Sequence, residues 1–107
     1  MSATVASSAY RQARRERRFA VDLAATLRGE KVADVAIRLL DMSRGGALGE
    51  CQFPPAPLSK VTLIRGTLAI EARVAWAKRG RFGLEFARPI RATELLVQLS
   101  LSRASPA

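Results

Sequence analysis

The chain has 107 residues, 49% of them hydrophobic, with 18 Lys and Arg against 9 Asp and Glu, a formal charge of +9, a single cysteine and no histidine. That length gives one domain with a modest core, and that charge favours an anionic partner such as nucleic acid, a nucleotide or an acidic membrane. The composition excludes an intrachain disulfide, Ser–His and Cys–His catalysis and the usual zinc sites, and no apolar window approaches the length that spans a bilayer.

Residues 1–10 are small and polar and read as a flexible leader, without the charged-then-apolar order of a signal peptide. With the lone cysteine, this places the expected location in the cytoplasm. Residues 11–107 read as a single domain. It opens on a basic run, Arg11 and then Arg14-Arg15-Glu16-Arg17-Arg18. From Phe19 the pattern alternates: Phe19, Val21, Leu23, Ala25 and Leu27 take one parity and Ala20, Asp22, Ala24, Thr26 and Arg28 the other, as in a half-buried strand. Gly29-Glu30 reads as a turn. Val32 to Leu40 alternates again, with Val35, Ile37 and Leu39 on one face, and pairs antiparallel with the first strand. Asp41 to Gly46 breaks the pattern with turn-forming residues, and Ala47 to Cys51 is a short strand. The three prolines of Pro54-Pro55-Ala56-Pro57 make a loop.

Val61 to Ile64 is a further strand, with a turn at Arg65-Gly66. Leu68, Ile70, Ala72, Val74 and Trp76 then share one parity, which assigns Trp76 to the core. Lys78-Arg79-Gly80 closes a hairpin, with a solvated tip, onto Arg81 to Ala87. After Pro89, residues 91–103 form helix, with Leu95, Leu96 and Leu99 on one face and Thr93 as an alternative cap. Five or six short antiparallel strands and a terminal helix make a mainly β fold. A small closed barrel with the helix packed on it removes exposed strand edges; an open sheet covered by the helix fits the periodicity equally.

Two stretches carry candidate chemistry. Arg14 and Arg18 are four apart just before the first strand. Taken alone, the run reads as a solvated basic end. As a site it would grip phosphate oxygens bidentately, address the O6 and N7 edge of guanine and stack on flat bases. The second stretch, Asp41, Ser43 and Gly46, spells D-x-S-x-x-G. It reads either as an ordinary Asx-type turn or as a carboxylate acceptor, a small hydroxyl and bare backbone offered to a ligand. Arg44 faces the ligand or water. Cys51, with no histidine to activate it, reads as an incidental thiol.

Together, R-x-x-x-R before the first strand and D-x-S-x-x-G after the second, with 22 residues between Arg18 and Asp41, resemble the PilZ domain family. Arg18 to Leu23, Ala72 to Trp76 and Gly80 to Phe86 are similar to that family's first strand and closing hairpin, so the likeness runs from about residue 11 to 103. Arg11 and Arg15 also make R-x-x-x-R, but the fit of the strand from Phe19 favours Arg14 and Arg18. The resemblance implies a six-stranded barrel that binds the bacterial second messenger cyclic di-GMP, with Arg14, Arg18, Asp41, Ser43 and Gly46 as ligand contacts and Arg15 and Arg17 as helpers by charge. It implies a receptor that orders its Arg-rich segment on binding and signals to an effector protein. No cofactor, metal or catalytic residue is expected. Ala13 adds no charge before the motif, while Arg15 and Arg17 suit a larger anion, which favours an intercalated ligand dimer. The competing expectations are a PilZ-like interaction module that binds no nucleotide and a basic single-stranded nucleic-acid barrel. The low aromatic content (6%), mostly on inward parity, counts against the latter.

Overall fold

The structure, a computed structural model, describes residues 17–30 and 33–102. The leader, Arg14 and Arg15 lie outside those residues. Six antiparallel strands, β1 (Phe19–Gly29), β2 (Val35–Met42), β3 (Gly46–Glu50), β4 (Lys60–Arg65), β5 (Leu68–Lys78) and β6 (Arg81–Phe86), close into a barrel in the order β1-β2-β3-β6-β5-β4. Among the described residues one helix, α1 (Ala92–Leu101), follows. The closed barrel is the observed solution and the open sheet is not.

Closure follows from β1. Its Val21, Leu23, Ala25 and Leu27 point inward and are buried, as the alternation predicts. Its edges pair with β2 on one side (Thr26↔Ala36) and with β4 on the other (Thr26↔Ile64), so neither edge of the sheet is left open. The interior is filled by Ile37, Leu39 and Met42 of β2, Leu63 of β4, Val74 of β5 and Phe82, Leu84 and Phe86 of β6. Phe82 is packed against bare backbone: a Cβ on Gly49 of β3 would stand 2.5 Å from its ring.

Two two-residue hairpins join the last three strands. Arg65 pairs with Leu68, so Gly66 and Thr67 are the turn, one residue later than the sequence indicates. Lys78 pairs with Arg81, leaving Arg79 (φ 54) and Gly80 (φ 79) as a turn with both central residues left-handed, which matches the twist of the strands.

Parity fails where the ladder bulges. Between Val74 and Trp76, β5 advances two residues while β6 advances one, from Leu84 to Gly83. The extra residue reverses the faces beyond it. Ala77 packs against the core, and Trp76, expected inside, lies outside at 37% exposure. The helix also departs from expectation. It starts after Arg91, which makes no side-chain cap, so Thr93 is not the cap. Its inner face is Leu95, Gln98 and Leu99, and Leu96 points to solvent. No helix among the described residues is long and apolar enough to cross a membrane.

Because Phe82 is fully enclosed, Gly49→Ala overpacks the barrel. The expected loss is about 1–3 kcal/mol of unfolding free energy, read from the urea midpoint at unchanged slope.

Candidate functional site

The antiparallel pairing of β1 and β2 sets Ala20 opposite Asp41 and Phe19 opposite Met42. The start of the first strand and the end of the second therefore share one end of the barrel. There the Arg18 guanidinium donates to the Asp41 carboxylate at 3.2 Å, with side chains 38% and 23% exposed. Arg17, one residue earlier, lies over the ring of Phe19 at 5.0 Å, a cation–π contact that gives it a direction.

Asp41 faces outward because of a second bulge. From Leu39 to Asp41 β2 advances two residues while β3 advances one, from Gly49 to Leu48. Strict alternation from Ile37 and Leu39 would send Asp41 into the apolar interior. The bulge at Leu40 turns it out and sends Met42, fully buried, inward. The same irregularity on β1 leaves the Asp22 N–H outside the ladder, and it donates to Ser102 Oγ at the end of α1 (2.8 Å).

Ser43 is buried and builds the turn. Its Oγ accepts from the Gly46 N–H at 3.1 Å and the Gly45 N–H at 3.2 Å, and its own N–H donates to the Gly46 carbonyl at 2.9 Å. This is a side-chain-closed turn, and it fixes how the backbone from Asp41 to Gly46 is displayed. The turn is bound in its own right to the segment before the helix. Arg44 Nε donates to the Ile90 carbonyl at 2.9 Å, the Ile90 N–H to the Arg44 carbonyl at 2.8 Å, and the Phe86 N–H to the Gly45 carbonyl at 2.9 Å. Arg44 is thus a strut between the turn and the approach to α1.

The register then exposes a neighbour that sequence parity assigns to the core. Asp41 pairs with Leu48, Leu48 with Gly83, and Gly83 with Trp76, one unbroken row across four strands of the outer wall. Gly83 is bare, and the indole lies directly over it: a Cβ there would meet Trp76 Nε1 at 2.3 Å. In sequence, the only trace of this was a glycine opposite a tryptophan in a hairpin, which becomes meaningful once the bulge is known. One row along, Glu85 of β6 is flanked by Gly46 and by Arg73, which donates to it at 2.8 Å.

Of the candidate residues, Arg18, Asp41, Ser43 and Gly46 converge on one barrel end, with Arg17 beside them. Arg14 and Arg15 lie outside the described residues. Cys51 lies elsewhere, at the end of β3, and burial pushes its thiol above the usual range, which opposes thiolate chemistry. Chemically, the end offers guanidinium donors, one carboxylate acceptor and a fixed turn of backbone, and a flat indole lies three strands along the same row.

A model of the PilZ domain matches residues 12–102. Comparison with curated proteins gives no match.

The two motif side chains carry different loads. Ser43→Ala leaves two backbone donors of the turn unpaired and costs about 1–3 kcal/mol. Asp41→Asn removes only a half-exposed ion pair and costs less than about 1 kcal/mol. Chemical denaturation of the two variants gives that order.

Proposed function

The chain belongs to the PilZ domain family, and we propose that it is a cyclic di-GMP receptor and adaptor with no catalytic activity of its own. The observation that carries this reading is the meeting of Arg18 and Asp41, 23 positions apart in sequence, at one end of the barrel. Arg17 and Arg18 beside an Asp/Ser/Gly turn at one barrel end suit a dianion with two flat guanines.

In this reading Arg14 and Arg18 take phosphate oxygens and a guanine edge, and Arg15 and Arg17 add charge. Asp41 accepts from the guanine N1 and N2 hydrogens. Ser43 acts through the turn it closes, and Gly46 keeps the main chain approachable. Arg18 leaves Asp41 as the ligand enters. A half-exposed pair of this kind contributes at most about 1 kcal/mol, so ligand contacts readily replace it. Trp76, on the same cross-strand row as Asp41, offers a stacking plane for a base. The ligand fixes the Arg-rich segment against the barrel, and the new surface of basic segment and nucleotide is what an effector protein in the cytoplasm reads. Arg15 and Arg17 favour two intercalated ligand molecules. This function needs neither cofactor nor metal.

Calorimetric titration with cyclic di-GMP tests this and returns the stoichiometry. Saturable binding is expected, with Arg14→Ala and Arg18→Ala each weakening it about tenfold or more (~1.4 kcal/mol). Arg28→Ala, the same charge change at the other end of β1, leaves the affinity within about twofold. Equal losses from all three would reduce the effect to bulk charge. No heat at several temperatures would sink the proposal and leave an interaction module that binds no nucleotide.

Emission from the single tryptophan supplies an independent check. It shifts at saturation in the wild type. Gly83→Ala lifts the indole off the wall and alters that shift without abolishing binding.

A further inference from the structure

The opposite end of the barrel carries exposed apolar side chains that stability does not account for. The segment from Cys51 to Ser59 runs from the end of β3 to the start of β4, and these two strands are not neighbours in the barrel, so it crosses that end. It is fixed at both ends to the last hairpin. The Cys51 N–H donates to the Gly80 carbonyl at 2.9 Å, the Leu58 N–H to the Val74 carbonyl at 2.7 Å, and the Val74 N–H to the Ser59 carbonyl at 3.0 Å. On this fixed loop Phe53 is 79% exposed and Leu58 69% exposed.

Leu58 also sits at φ 70, the left-handed region, which its Cβ disfavours. Glycine would hold that backbone without strain. A leucine there is therefore both strained and wet, a combination that folding of the loop does not require. Pro55 of the same loop walls a recess of about 420 Å³ with Leu27, Val35 and Val61, and the charged residues Glu30 and Lys60 also line it.

The charge around these side chains selects the occupant. Arg18, Arg28, Arg38, Arg73 and Arg81 each have a carboxylate partner. Lys78 and Arg79, at the hairpin tip to which the loop is bonded, have no ion pair among the described residues, and both are exposed. A second copy of the chain would oppose this tip with another +9 molecule, and an isologous contact would set like charges face to face.

We propose that this end, formed by Phe53, Leu58, Lys78 and Arg79, is a docking surface for an acidic protein segment carrying large apolar side chains. The apolar residues enter against Phe53, Leu58 and the recess, while carboxylates meet the hairpin tip. The surface is built on the barrel end remote from Arg18 and Asp41, so docking does not depend on cyclic di-GMP.

The test uses the whole ¹⁵N-labelled chain and a synthetic peptide alternating Glu with Leu and Phe. Two control peptides replace Glu by Lys, or Leu and Phe by Ala. Amide shifts at the non-proline residues of 51–59 and at 78–81 are expected with the first peptide alone. Leu58→Gly and the pair Lys78→Glu, Arg79→Glu each weaken that binding about tenfold, and neither changes cyclic di-GMP titration. Leu58→Gly retains or raises the melting temperature, because it relieves the backbone. Several results overturn the proposal: shifts centred on Arg17 to Asp41, an equal response to the Ala peptide, no binding of the first peptide, or a falling melting temperature in Leu58→Gly. Sedimentation showing a dimer that Leu58→Gly dissociates would assign the surface to a second copy instead and overturn the choice of partner.

Discussion

Closure of the sheet by β1 is the constraint on which the other features rest. A sheet in a chain of this size has two edges and little else with which to cover them. β1 resolves this by pairing with β2 along one edge and β4 along the other. Because it must satisfy both, its register is fixed, and its inward residues Val21, Leu23, Ala25 and Leu27 define the interior that the other strands fill. The position of Arg18 is a consequence. It stands just before the strand, whose first residues pair with the end of β2, so its side chain comes beside Asp41.

Within the closed barrel, bulges decide which of these side chains face outward. A ladder of strict period two would bury Asp41 among apolar neighbours, where an unpaired carboxylate is costly, and would bury Trp76 beside Val74. The extra residues at Leu40 and Ala75 turn both outward and set them in one row, with the bare backbone of Gly83 beneath the indole. Ser43 does comparable work in the turn. By spending its hydroxyl on the Gly45 and Gly46 amides it gives the loop one shape, and Arg44 ties that shape to the approach to α1. Polar residues that look alike as letters therefore divide: Arg18 and Asp41 face outward, while Ser43 and Arg44 hold the frame.

The two barrel ends differ in how their charge is arranged. At one, Arg18 is matched by Asp41 and Arg17 lies on Phe19, so cationic groups are held in defined directions. At the other, Lys78 and Arg79 project from a tight hairpin turn beside exposed Phe53 and Leu58. A formal charge of +9 predicts an anionic partner in general. It does not distinguish a cation held on a carboxylate from an uncompensated tip. That distinction comes from which carboxylates the fold brings within reach.

The sequence by itself determined the strands, since burial on one face forces an alternation visible in Phe19 to Leu27 and Leu68 to Val74. It determined the hairpins through Gly66 and Gly80, the terminal helix to within a few residues, and the family through two spaced motifs and the strands between them. Tertiary structure alone decided the parity of Trp76, the outward turn of Asp41, the choice of Gln98 over Leu96 for the helix interior and the strain at Leu58. The physical reason is common to these cases. Alternation is a local property of one strand, whereas a bulge is a mismatch in advance between two strands, and a helix face is chosen by what it packs against. Neither is written in the residues of one segment.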